Sequence, residues 1–270
     1  MNNLQLQNQL FDTVICGRRL GIIMDEIAAD RSHPRYQSLL MRHRLEVAAK
    51  EGLLADSAMI AHGRGEAFDY LLGEQTIPSA MNATKLAYQC LAEAKKPVIS
   101  LNGNTVALVG KEIMMLAAKL GCPVEINIFY RTPERMGKLF SRLDKIRTKE
   151  GIDVEILGMK PNAKIPGLEG PRANCSKEGI LDSDVILVPL EDGDRCEALV
   201  AMGKTVIVID LNPLSRSAKR GTLTIVDELS RVVNNMLEFD KVTPEVELSD
   251  WHNEENLKHA LEHINDTIQS

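Results

Sequence analysis

Apolar positions along this chain alternate between two spacings, and the alternation predicts its elements. HPRYQSLLMRHRLEVAAKEGL (33–53) has helical apolar spacing, with Pro34 in a first turn and Gly52 near the stop. SAMIAHGRGEAFDYLLGE (57–74) starts apolar and becomes glycine-rich and charged, and TIPSAMNATKLAYQCLAEA (76–94) reads as an amphipathic helix. PVISLNGN (97–104) is a short β-rich run closing in a polar turn. From there strands and helices alternate. Helices are predicted at 106–121, 132–151, 196–204 and 228–239, with Thr132 capping the second and Gly151 ending it. Strands are predicted at 124–130, 154–159, 184–190, 205–210 and 222–227, with a long Pro/Gly-bearing loop at 161–175.

The strands are continuous β-branched runs rather than clean alternations, so both of their faces are covered. That pattern predicts an α/β fold: a Rossmann-like three-layer sandwich with a mostly parallel sheet and a helical N-terminal part. Residues 24–240 form one domain in this reading, helical over 24–95 with the Rossmann-like core at 96–240. The charged, helical tail 241–270 packs outside the sheet or against a second subunit. Residues 1–23 have no early basic region and no small-residue cleavage site, which argues against a signal peptide. They are expected to be a poorly ordered leader extension, since Met24 opens a segment that also reads as a start.

Composition narrows the function classes. The chain has 270 residues, a net charge of −6 and only 4% aromatics, which disfavours nucleic acid and acidic membranes as partners. Cys16, Cys90, Cys122, Cys175 and Cys196 are scattered without a CxxC pair, as expected of reduced cytoplasmic thiols rather than a disulfide framework or zinc site. No apolar run is long enough to span a bilayer.

Ligands of open parallel sheets bind beyond the carboxyl ends of the strands. Four polar clusters follow predicted strands here: Asn102-Gly103-Asn104, Tyr130-Arg131, Glu191 to Arg195, and Asp210 to Arg216. They are expected to converge on one rim. The familiar nucleotide motifs are absent. Gly203-Lys204-Thr205 lacks the P-loop glycine five residues earlier, where Ala198 stands, and Gly110-Lys111 is followed by Glu112 rather than Ser or Thr. No strand–GxGxxG–helix unit exists, which disfavours a nicotinamide enzyme.

In His62-Gly63-Arg64-Gly65-Glu66, the glycines permit close backbone approach and Arg64 offers a planar fork to phosphate or carboxylate; a glycine turn with a solvated arginine is the alternative. Asp192 and Asp194 around Gly193 suit ribose hydroxyls or water-held Mg2+, or Asp194 merely caps the next helix. Ser215, Arg216 and Ser217, after the Asn212-Pro213 turn, present donors to an anion or form a plain polar loop. Asn102-Gly103-Asn104 is a turn signal first, although a helix N-terminus behind it favours negative charge. Arg35 and Arg42 fall seven apart on one predicted helix face, as a basic stripe or a solvated surface.

SHPRYQSLLMR, AHGRGEAFDYLLGE, ISLNGNTVALV, INIFYRT, IPGLEGPR, VPLEDGDRCEAL and IDLNPLSRSA together resemble the archaeal-type phosphopantothenate synthetase family, the 4-phosphopantoate–β-alanine ligases of coenzyme A biosynthesis. The resemblance runs from about Ser32 to about Phe239; the leader lies outside it and the 241–270 tail matches weakly. Cys196 stands where members often carry threonine, so that side chain is given no role.

The resemblance implies a Rossmann-like homodimer that uses ATP and Mg2+ to join 4-phosphopantoate and β-alanine through an acyl-adenylate. By the same resemblance Arg42, Arg64, Asp192, Gly193, Asp194 and Asp210-Leu211-Asn212 belong to ATP, and Arg195 is placed with them. The remaining rim residues are assigned by position: Gly63, Gly65, Asn102, Gly103, Asn104, Arg131 and Ser215 to the substrates. Arg64 and Arg216 are the expected charge stabilisers, with His62 or Glu66 as proton acceptor and no residue assigned as a metal ligand.

Overall fold

The computed structural model describes residues 30–269; the expected leader, 1–23, lies outside them. The chain divides into two units, 1–47 and 48–270. In the first, a turn over residues 31–35 leads into α1 (Tyr36–Lys50). That helix starts three residues later than expected, and Pro34 and Arg35 stand in the turn before it. The reading of Arg35 and Arg42 as one helix face is therefore corrected.

The second unit begins its helices with α2 (Ser57–Leu71) and α3 (Pro78–Glu93). Six parallel strands follow: β1 (Pro97–Leu101), β2 (Val124–Ile126), β3 (Ile156–Leu157), β6 (Val185–Pro189), β7 (Thr205–Ile209) and β8 (Leu223–Ile225). Their order across the sheet is β3-β2-β1-β6-β7-β8. The chain winds outward from β1 in one direction and from β6 in the other, so the order reverses between those two strands. This is the doubly wound arrangement of a Rossmann fold.

Two-sided burial explains the unbroken apolar runs. On β6, Ile186 and Val188 join Val98, Val206, Val208 and Leu199 in one cluster, and Leu187 on the opposite face is equally buried. Between the strands run α4 (Gly103–Leu120) and α5 (Pro133–Glu150), then α6 (Gly193–Ala201), α7 (Arg216–Arg220) and α8 (Leu229–Glu238). Thr132 caps α5 by accepting the Arg135 N–H at 3.2 Å, and Gly151 ends it at φ 65°.

Several strands are shorter than their apolar runs. β2 ends at Ile126, next to the buried Asn127, whose backbone N–H still donates to the Leu101 carbonyl of β1 and whose side chain donates to the Arg172 and Asn174 carbonyls. β3 stops before Gly158, whose φ of 97° suits glycine and where a Cβ would collide with the Ile126 carbonyl. The expected loop 161–175 instead forms a small hairpin, β4 (Ala163–Lys164) against β5 (Asn174–Cys175).

The C-terminal helix α9 (Asn253–Gln269) packs against α2, α3 and α7 and on the edge strand β8. Asn253 accepts the Thr224 N–H and Asn256 donates to the Thr224 carbonyl, both at 2.8 Å. These two side chains satisfy backbone groups that an open sheet edge would leave available for another strand. Of the two placements expected for the tail, the structure shows the one outside the sheet.

Candidate functional site

All six strands run parallel, so the turns after β1, β2, β6, β7 and β8 lie along one edge of the sheet. The switch point between β1 and β6 is where such a fold opens a crevice. Asn102, directly after β1, braces it. Its Nδ2 donates to the Pro189 and Leu190 carbonyls at 3.0 Å each, and its Oδ1 accepts the Thr105 N–H to cap α4. Gly103 packs against the Leu53 carbonyl, and Asn104 donates to the Ala58 carbonyl at 3.1 Å. The side chains of Asn102 and Asn104 are thus spent on structure.

The turn after β6 is held from several sides. Leu190 takes a φ of 53°, uncommon outside glycine. Asp192, not Asp194, caps α6, accepting the Asp194 N–H at 3.0 Å, so the helix starts at Gly193 rather than Cys196. Glu191 is buried beneath this turn. Its carboxylate accepts the Asp192 N–H at 2.7 Å and pairs with Arg195 on one side and Arg172 on the other.

Arg195 is fully buried and also donates to Ser100 Oγ at 2.8 Å. The guanidinium, expected to face ATP, is engaged by Glu191 and Ser100. Burial, with repulsion from Arg195 added, pushes Arg172 down to about 9. Arg172, Glu191 and Ser100 escaped the residue-by-residue assignment. The signals were present: Glu191 stands four residues before Arg195, one helical turn, and IPGLEGPR ends in Arg172.

The turn after β7 joins the same edge. Asp210 accepts the Asn212 N–H at 3.0 Å and the Ser215 hydroxyl at 2.5 Å, and Ser215 caps α7. Burial raises the Asp210 carboxyl; Ser215, Asn212 and the positive charge of Arg64 pull it back. Ser217 Oγ donates to the Glu191 carbonyl at 2.8 Å. Arg216 pairs with Asp194 at 2.5 Å and Glu197 at 3.1 Å, and its stem covers Gly193 so closely that a Cβ there would overlap it. The positive charge expected of Arg216 is therefore balanced by two acids. Arg131, after β2, donates to the Gly158 carbonyl.

His62 to Glu66 do not form a glycine turn; all five lie inside α2. Gly65 faces Leu211, with 3.5 Å between its Cβ position and Leu211 Cδ1. Gly63 has open space and Arg64 is exposed. Glu66 accepts from Tyr70 Oη at 3.2 Å. Arg64, Gly65 and the Asp210-Leu211 turn thus meet. Arg42 lies on α1 in the first unit, half-buried.

The edge offers the exposed Arg64 and the carboxylates Asp192, Asp194 and Asp210, each already engaged within the protein. Four buried or half-buried thiols, Cys90, Cys122, Cys175 and Cys196, have their pKa values raised to about 11–12 by burial, which makes them inert. No group of three potential metal-ligating side chains occurs among the described residues. Asp192 and Asp194 still fit Mg2+, which commonly takes one or two carboxylates and fills its shell with phosphate and water oxygens. No helix among the described residues is long and apolar enough to cross a membrane.

Residues 79–267 match the phosphopantothenate/pantothenate synthetase family model. The chain is 48% identical to the 4-phosphopantoate–β-alanine ligase of Thermococcus kodakarensis, covering 87% of each chain. The corresponding enzyme of Methanosarcina mazei is 47% identical over 77% of this chain and 79% of its own, and that of Thermococcus onnurineus 44% over 88% and 92%. The switch-point turns, the buried Arg172–Glu191–Arg195 group and the turn after β7 all fall inside the matched region. The chain belongs to the phosphopantothenate/pantothenate synthetase family.

Proposed function

We propose that this protein condenses 4-phosphopantoate with β-alanine to 4′-phosphopantothenate in coenzyme A biosynthesis, driven by ATP. The observation that carries this reading is that the chain is 48% identical to a 4-phosphopantoate–β-alanine ligase over 87% of its length, and that the turns at the β1/β6 switch point lie within residues 79–267, which match the family model.

The chemistry suits a site without a nucleophile. A carboxylate is a poor acyl donor because oxide would have to leave. Its oxygen attacks the α-phosphorus of ATP, the bond to diphosphate breaks, and AMP becomes the leaving group. The free amine of β-alanine then attacks the acyl carbon, the bond to AMP breaks, and one proton leaves the nitrogen. Positioning and charge stabilisation supply the catalysis. In this reading Arg64 faces the phosphates, Arg42 keeps the ATP-binding role that the family resemblance implies, Asp192 and the Asp210-Leu211-Asn212 turn hold the nucleoside, and Gly63, Gly65 and Ser215 line the approach of the substrates. Gly193, Asn102, Gly103, Asn104 and Arg131 shape the walls. His62 or Glu66 takes the proton. Asp192 and Asp194 would hold Mg2+, which neutralises the charge of the departing diphosphate. The active molecule is a homodimer in the cytoplasm.

Incubation with ATP, 4-phosphopantoate and β-alanine tests the reading. It predicts stoichiometric AMP and diphosphate, with unphosphorylated pantoate a poor replacement. ADP as product, or no nucleotide turnover, overturns it. Replacing Arg64 with alanine is expected to cost ~10²–10³-fold in rate; near-normal turnover at saturating substrate removes Arg64 from its role.

A further inference from the structure

Glu191 occupies a position that its neighbours alone do not require. Only 2% of its side chain is exposed, and one carboxylate there serves two guanidinium groups, Arg195 fully buried and Arg172 at 9% exposure. The Nε of each arginine is buried without an acceptor, so their charges rest on this shared partner. Three segments from distant parts of the sequence are tied to Glu191, directly or through Arg195. Arg172 arrives from the 161–175 segment and Ser100, through Arg195, from β1; Ser217, from α7, binds the Glu191 carbonyl, and the Asp192 N–H binds its carboxylate. Next to Glu191 in the chain is the turn carrying Asp192, which caps α6, and Asp194, which pairs with Arg216. The orientation of that turn is therefore set through Glu191.

We propose that Glu191 is a positioning residue for the Asp192–Asp194 turn, and that Arg172 acts through it rather than on substrate. This rests on the ligase reading, in which the turn receives ATP. Buried groups with their partners in place hold a loop in one geometry, whereas a half-satisfied buried network is costly. A small misplacement of a positioning turn can cost as much as ~10²-fold in rate.

The test uses the full-length protein and begins with wild-type AMP release, which judges the ligase reading by itself. Arg172→Met, Arg172→Lys, Glu191→Gln and the Arg172→Met/Glu191→Gln double variant follow. The expected result for Arg172→Met is a rise of roughly tenfold or more in KM for ATP and a fall in kcat, with KM for β-alanine unchanged. Arg172→Lys recovers part of the loss because it restores the charge. The double variant is no worse than the worse single one, since both changes break one linkage. If Glu191→Gln fails to fold, the two Arg172 variants carry the test. Should wild type release no AMP, calorimetric titration of ATP into wild type and Arg172→Met reads the same linkage. A folded Arg172→Met that binds and turns over ATP like wild type, with only its melting temperature lowered, overturns the proposal; so does a double variant whose losses multiply.

Discussion

Gly63 sits in the middle of α2 with no atom within 4 Å of its Cβ position, so nothing in the fold demands glycine there. Glycine in a helix interior costs about 0.5–1 kcal/mol against alanine. Gly63→Ala is expected to raise stability by about that amount, read by chemical denaturation, and to slow turnover because the bare backbone is what the substrates approach. An equally fast variant removes Gly63 from the site. Buried thiols make a second prediction. Cys122 and Cys196 are pushed up to about 12 from 9.0 by burial. Their contribution to stability is complete below pH 9 and is lost as pH rises from 9 towards 12, because the unfolded chain releases those protons first. The slope is about 1.4 kcal/mol per pH unit for each thiol. Melting temperatures at pH 9, 10 and 11 should fall less steeply for Cys122→Ala than for wild type. Residue identity made the rim clusters legible. It did not show which side chains are engaged within the protein, because Asn102 and Arg216 differ from free donors in partners far along the chain and Arg195 in its burial.

Helix α2 carries Arg64, and its placement depends on an ion group at its far end. Arg231 on α8 pairs with Asp69 of α2 and, at 2.7 Å, with Asp227 after β8, while Thr76 donates to Asp227 at 2.6 Å. Arg231 is held above its ordinary pKa by Asp69 and Asp227 against the pull of burial. Removing it strands two acids, Asp227 with a fully buried side chain and Asp69 nearly so. Breaking a buried pair typically costs roughly 3 kcal/mol or more. Arg231→Ala should therefore lower the melting temperature by about 10 °C and raise KM for ATP as α2 loosens; an unchanged melting temperature contradicts this anchoring. At this scale periodicity found α3, α4, α5 and α8, whose apolar faces repeat with the helical period. It gave α2 no helix of its own within the expected helical stretch 24–95, because two glycines and a charged middle mimic a turn.

At the scale of the molecule, the sheet order is what assembles the site. Strands β1 and β6 are adjacent although more than eighty residues separate them, and this brings Asn102 against Pro189 and Leu190 and Ser100 against Arg195. Continuous apolar strands announced a parallel sheet and a shared edge. Their order was not legible, since strand pairing depends on long-range contacts that no local pattern encodes. In the proposed reaction this edge activates a carboxylate by joining it to AMP. Oxygen tracing tests that most directly: 4-phosphopantoate labelled with ¹⁸O in its carboxylate is consumed with ATP and β-alanine, and the nucleotide product is analysed by mass spectrometry. The account predicts AMP carrying one labelled oxygen from each carboxylate; label appearing in inorganic phosphate, or in no phosphorus product, contradicts it.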